Sequence, residues 1–393
     1  MQQPEGYHFG APGDVLRLKK SLYGLKQAGR VWSQTLHDTL ATMGYTCLKS
    51  DASFYVFTRG EVRIEIPVYV DDITISAPTD ADADKVVAEL AEYFELRDLG
   101  HSSFLLGIQI TRDRSKRSLS LSQRQYIIDM LEDYGFSGCT PVQTPMEPGL
   151  HLTKDMSPKT DAERAEMREV PYINAVGALM YLATCTRPDI AYTVSQLGRF
   201  SSNPGKQHWA AVKHLFRYLK GTMNVKLTYA PDPSSKELFS VFTDADYGGD
   251  LDTGRSTGAY VLKVGTGAVD WSSKLQPIVT LSSTEAEYVA AVEAGKEVLW
   301  MRNLLTELGY PIEGKPSVLH VDNNSAISVA RNPEHFGRIK HLDLRFYWLR
   351  DMVQAGLISP QFCPTAQMPA DILTRALPRP KVAEMRALLG LQD

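Results

Sequence analysis

Two apolar, β-branched runs that each stop at an acid constrain this chain most: Leu238-Phe-Ser-Val-Phe-Thr-Asp244 and Ser317-Val-Leu-His-Val-Asp322. Runs of this length and composition read as buried strands. Between them, residues 258–264 and 269–272 read as two more strands. Ser282-Ser-Thr-Glu-Ala-Glu287 then opens a long helix, with Ser or Thr to cap it and Tyr288, Ala291, Val298, Leu299 and Leu305 as its buried side. After Asp322 come one helix, another over residues 340–355, a loop at 364–369, and Asp371-Ile-Leu-Thr-Arg375 as the start of a last helix. Asp244 and Asp322 fall at strand ends, where open α/β sheets place their sites. Each alone is as readily a turn former; Asp246 shares the first position.

A second acidic feature lies in the first third. Val68-Tyr-Val-Asp-Asp-Ile-Thr-Ile75 sets two adjacent carboxylates between short apolar runs, with Pro67 preceding the first and Pro78 beyond the second. It reads as a tight hairpin with Asp71 and Asp72 at its tip. Neighbouring like charges repel unless a cation intervenes, and magnesium favours carboxylates plus phosphates; a solvated turn is the alternative. Val31 or Trp32, Leu36, Leu40 and Met43 predict a helix over about 28–43, with Lys26 and Arg30 beside its phosphate-attracting start. Further on, the spacing predicts a helix over 80–96, strands over 104–110 and 118–121, and a helix over 123–134 ended by Gly135.

The middle of the chain changes character. Cys139-Thr-Pro-Val-Gln-Thr-Pro-Met-Glu-Pro-Gly149 carries three prolines and no period, so residues 139–170 read as a linker. Three helices follow, the last over about 206–220. From Gln196 to Lys226 the cations Arg199, Lys206, Lys213, Arg217, Lys220 and Lys226 occur with no Asp or Glu, and His208, Trp209, His214 and Tyr218 lie among them. The whole chain carries a net charge of −4, so it is not a uniformly basic nucleic-acid binder. A local positive strip of this kind suits a phosphate backbone; a solvated helix face is the alternative. The four cysteines form no CxxC pair, which argues against a zinc site or disulfide framework and suits a reducing compartment. No apolar run is long enough to span a bilayer, and the first residues lack a secretory pattern.

Leu22-Tyr-Gly-Leu-Lys-Gln-Ala28, followed by Trp32 and Tyr69-Val-Asp-Asp72, resembles the reverse transcriptase of copia-type LTR retrotransposon Pol polyproteins. Thr186-Arg-Pro-Asp-Ile-Ala-Tyr192 and Leu219-Lys-Gly-Thr222 resemble the same polyprotein further along. The resemblance implies an α/β and α+β chain: a partial reverse-transcriptase palm and start of the thumb over 1–138, a linker over 139–170, a helical connection over 171–230, and a ribonuclease H-like mixed five-stranded sheet with flanking helices over 236–393. In that family a further aspartate lies on a strand upstream of Met1, so the polymerase site is expected to be incomplete in this chain alone. The family usually has proline where Gly29 stands.

What the resemblance implies for the sites is specific. Asp71 and Asp72 would be the polymerase acids, with Lys26, Gln27 and Arg30 near nucleotide or template. Thr-Asp244, Ala-Glu287-Tyr, Val-Asp322-Asn and Ala-Asp371-Ile match the ribonuclease H surrounds, which selects Glu287 over Glu285 and ranks Asp246 second. Four such acids would hold two Mg2+ ions, or Mn2+ in their place. Nucleic-acid contacts would come from Lys206, Lys213, Arg217 and Lys220, from His341 with Lys340 and Arg345, and from Ser256 and Thr257. Bacterial ribonucleases H carry a histidine before the last acid; residues 363–370 contain none. Implied partners are an RNA–DNA hybrid, an RNA template with primer, and the remaining Pol polyprotein, with no membrane. The implied location is a cytoplasmic virus-like particle and the nucleus. The alternative is a catalytically dead or domesticated nucleic-acid-binding remnant.

Overall fold

The computed structural model describes every residue except 8, 12, 61, 236, 313 and 332–344, with the side chains of 345 and 346 also left aside. It divides into two compact units: Met1–Ser102 with Leu304–Tyr310, and Ser103–Asn303 with Pro311–Asp393. The division falls at 102/103, not at the expected 138/139.

The first unit rests on a four-stranded antiparallel sheet in the order Thr46–Cys47, Phe54–Arg59, Val62–Tyr69, Asp72–Ile73. Alternation in Val62–Tyr69 sends Ile64 and Ile66 inward, where they meet Leu36 and Leu40 of helix Ala28–Thr42 and Val86 and Leu90 of helix Asp80–Ala91. The second helix is well started: the Thr79 hydroxyl accepts from the Asp82 N–H at 3.2 Å, and Asp80 and Asp82 face the positive end of the dipole.

The second unit holds two five-stranded sheets. One is antiparallel, in the order Leu391–Gln392, Lys226–Tyr229, Ser118–Ser122, Ile108–Asp113, Phe104–Leu105. The expected strand over 104–110 is therefore a hairpin. Leu106 and Gly107 take φ of +51° and +73°, the handedness a two-residue turn needs and glycine supplies. The end of the chain supplies one edge of this sheet, which sequence pattern did not suggest.

The other sheet runs Gly267–Leu275, Thr257–Val264, Ser240–Ala245, Ser317–Val321, Ile358–Phe362. Thr257–Val264 is antiparallel to both of its neighbours; the last two strands join in parallel. Helix Ser283–Glu307 is the crossover between Gly267–Leu275 and Ser317–Val321. Its buried stretch is rich in small residues, and at Gly295 an added Cβ would meet Leu349, Trp348 and Ile358 side chains at 3.1–3.4 Å. The expected mixed sheet is thus present, with elements in the expected order.

Residues 171–230 do not form a module apart from this sheet. Leu179, Leu182, Val194, Val212 and Leu215 share one apolar core with Val261, Ala268, Leu373, Met385 and Leu391. The Trp271 indole N–H donates to the Ala183 carbonyl at 2.7 Å. Inside this core Arg187, 1 % exposed, places Nε and Nη2 on the two oxygens of Asp189 at 2.9 and 2.8 Å. Its guanidinium also reaches Thr222, and the Tyr218 hydroxyl donates to Asp189 at 2.7 Å.

Nor is 139–170 a loose linker. Met146 and Leu152 enter the shared core, and helix Asp161–Arg168 carries a complete capping box at Thr160. Prolines leave such a segment unable to satisfy its own carbonyls, so donors must come from elsewhere. Helix Lys206–Gly221 provides them: Arg217 Nε donates to Thr140 O at 2.8 Å, and His214 Nε2 lies 2.9 Å from Thr144 O.

Candidate functional site

Asp244 is the penultimate residue of Ser240–Ala245, and Asp322 directly follows Ser317–Val321. The parallel pairing of Thr243 with Val321 brings the two acids level on neighbouring strands. Glu287 stands one turn into Ser283–Glu307. One carboxylate oxygen from each of the three lies within 4.8 Å of the other two. Glu285 is used differently: it accepts from the Leu281 N–H at 2.8 Å while its own N–H donates to Ser282 Oγ at 3.2 Å, which closes the helix start.

The cluster is electrostatically loaded. Burial first, then repulsion from Asp244 and Asp322, pushes the Glu287 carboxyl up to about 10. Burial and repulsion from Asp322 and Asp371 raise Asp244 to about 7, against the opposing hydrogen bond from Thr374 Oγ1. Thr365 Oγ1 donates to Asp322 Oδ2 at 3.0 Å. Glu287 Oε2 is buried with no hydrogen-bond partner. An orphaned buried carboxylate oxygen carries its full desolvation cost. A hard divalent cation would remove both that cost and the repulsion, because every donor is an oxygen. The side chains therefore fit Mg2+ or Mn2+.

Asp371 does not join the three. It sits in a five-residue 3-10 helix, Pro369–Leu373, and the expected last helix begins only at Arg379. Pro378 explains the gap, since the residue before a proline avoids helical backbone, and Pro378 is itself extended at the N-cap of the later helix. Asp371 Oδ1 accepts from both Nε and Nη2 of Arg375. Asp246 also stands apart: its Oδ1 takes the Thr257 N–H at 2.6 Å and holds a turn. Ser256 and Thr257 are buried, and Ser256 Oγ accepts from the Gly248 N–H at 3.0 Å, so they offer no surface to a backbone.

Asp71 and Asp72 are exposed in the first unit. Tyr69 pairs with Asp72, so the two-residue turn is Val70-Asp71, shifted by one residue from expectation. Val70 takes φ +55°, a costly conformation for a β-branched residue. The Trp32 indole N–H donates to the Val70 carbonyl at 2.7 Å, and its ring packs edge-on to Phe94. Among the described residues no third acid, histidine or cysteine completes a metal-holding group there. Lys26, Gln27 and Arg30 are exposed around the start of Ala28–Thr42.

The expected basic strip is interrupted. Arg199 pairs with Asp250 and Asp252, Lys206 reaches Glu166 at 2.7 Å, and Arg217 serves the Thr140 carbonyl. His208 and Tyr218 are buried. Lys213 and Lys220 remain half-buried on the same helix. The acids absent from the segment arrive from elsewhere in the chain, which local composition cannot reveal. His341 and Lys340 lie outside the described residues.

Residues 1–148 match the family described as Reverse transcriptase (RNA-dependent DNA polymerase). The chain is 40 % identical over 395 residues to the retrovirus-related Pol polyprotein from transposon TNT 1-94 of Nicotiana tabacum, spanning 100 % of this chain and 29 % of that one. It is 36 % identical over 393 residues to its counterpart from transposon RE1 of Arabidopsis thaliana, spanning 100 % and 26 %. A transposon Ty5-1 protein of Saccharomyces cerevisiae is 32 % identical over 301 residues, 76 % of this chain and 94 % of that protein. The chain belongs to the copia-type retrotransposon Pol family. It spans 29 % and 26 % of the two plant Pol polyproteins. A solved N-terminal RNase H domain from Mycobacterium tuberculosis, fused to maltose binding protein, aligns over 35 % of this chain and 89 % of that one at 14 % identity, with a TM-score of 0.23.

Within this Pol segment, sequence reasoning located the acids but missed the groups that orient them. Thr374 and Arg375 sit in the same short stretch as Asp371 and hold two different acids. Their hydrogen-bonding types, placed beside an expected ligand, were the available signal. Thr365 and Trp32 gave no such signal, because each reaches its partner from a distant part of the chain.

Proposed function

We propose that the three-acid cluster is a divalent-cation centre for ribonuclease H chemistry: hydrolysis of the RNA strand of an RNA–DNA hybrid. The observation that carries the reading is the convergence of Asp244, Glu287 and Asp322, with Glu287 Oε2 buried and unpartnered among them. The order and direction of the five strands over 236–393 support a ribonuclease H-like fold. Asp244, Glu287 and Asp322 would hold the cation. When bound, Mg2+ or Mn2+ supplies Lewis acidity toward a phosphodiester oxygen and acidifies water. Thr374 fixes the Asp244 carboxylate, Thr365 orients Asp322, and the surrounding burial keeps bulk water from screening the site.

For the first unit we infer a part in RNA-templated DNA synthesis, with Asp71 and Asp72 as metal ligands and Lys26, Gln27 and Arg30 toward template, primer or nucleotide. Two exposed acids need further oxygen ligands to hold metal, so this activity would draw on other parts of the Pol polyprotein.

The test is a labelled RNA–DNA hybrid incubated with the full chain and Mg2+. Cleavage of the RNA strand that is lost in Asp322→Asn and in Asp244→Asn is expected. Binding without cleavage would mark a nucleic-acid-binding remnant and overturn the nuclease reading.

A further inference from the structure

Arg375 is a cation set beside the three-acid cluster. Three carboxylates converge, while the fourth expected ligand, Asp371, is bonded at Oδ1 by two nitrogens of one guanidinium. The Asp371 side chain is 6 % exposed, whereas that of Arg375 is 54 % exposed, so the pair bridges the buried cluster and solvent. Arg375 also acts electrostatically on Asp244 and Asp322. The residue before it, Thr374, is fully buried and donates to Asp244. Adjacent side chains at the end of one short helix therefore hold two neighbouring acids, Thr374 bonding Asp244 inside the three-acid group and Arg375 pairing with Asp371 beside it.

A guanidinium fork suits a carboxylate and is always charged at working pH. It delivers fixed positive charge beside Asp371, Asp244 and Asp322, charge that a second cation held by these acids would otherwise supply. Resting on the metal-centre reading above, we propose that Arg375 is a positioning residue that stands in for that second cation: it holds Asp371 out of the ligand set, so the chain free of nucleic acid takes one divalent ion at this site. Its fork is equally suited to phosphate. An arriving phosphodiester can therefore draw the guanidinium from Asp371 and release the acid to act as a ligand. Cation number would then be coupled to substrate through this one side chain.

The test counts ions rather than turnover. Calorimetric titration of Mn2+ into the full chain, with Asp71→Asn and Asp72→Asn present in every sample to silence the hairpin, should give one ion per chain. Arg375→Gln in that background should take up two, because Asp371 is freed, whereas Arg375→Lys should stay at one because the charge is kept. Asp371→Asn should still bind one ion with unchanged affinity, and this variant keeps the proposal testable if Arg375→Gln does not fold. A parent that binds two ions, an Arg375→Gln protein that binds one, or loss of the ion in Asp371→Asn would each overturn the inference while leaving the metal centre in place. No ion in the parent would instead sink the metal-centre reading itself.

Discussion

Glu287→Gln should stabilise the cation-free chain while removing its response to cations. The Glu287 carboxyl rises from its ordinary 4.5 to about 10 on folding, through burial and the two neighbouring acids. A carboxylate raised in this way contributes stability that is complete below about pH 4.5 and is lost as pH climbs toward its folded value. At about pH 7.5 the chain must take up a proton roughly 3 units above the ordinary range, a cost of up to about 4 kcal/mol at 1.36 kcal/mol per unit. The repulsion is shared with Asp244 and Asp322, so about 2–4 kcal/mol is the expected gain from an amide of the same shape. Urea denaturation in EDTA at about pH 5, 6.5 and 8 measures it. The variant and parent should nearly coincide at the lowest pH and separate progressively above it. Mn2+ should then close the gap by stabilising the parent alone. A gain that is absent, or equal at all three pH values, would refute the reasoning.

Other predictions follow from the rest of the fold. Asp189→Asn leaves the Arg187 guanidinium buried without its counter-charge and should cost about 3–5 kcal/mol, read as an early unfolding midpoint. Gly390 has φ +85°, and an added Cβ would lie 2.7 Å from the Gly267 Cα, so Gly390→Ala should destabilise the second unit by about 2 kcal/mol or more. Trp32→Phe removes the indole bond to Val70 and should cost about 1 kcal/mol, seen as faster amide exchange at Asp71–Ile73 with little change in the second unit.

The strand-end acids were legible because strand composition and the 3.6-residue period act locally. Ile64, Ile66, Leu36 and Leu40 are placed by the same rules. What local rules could not see was tertiary satisfaction. The basic residues of Lys206–Gly221 look like a nucleic-acid strip until the Pro-rich segment lies along them and takes their hydrogen bonds. Glu166, Asp250 and Asp252 complete the pairing from other elements. Leu391–Gln392 joins a sheet begun at Phe104, a pairing across most of the second unit's sequence that two residues cannot advertise. Asp371 carries the right motif, but Arg375, four residues on, decides its state.

The most direct test of the metal centre is an anomalous difference map from crystals of this chain grown with Mn2+. A peak bonded to oxygens of Asp244, Glu287 and Asp322 is the predicted result. A site that stays empty at saturating Mn2+, or an ion bound elsewhere in the second unit and not by these three acids, would contradict it.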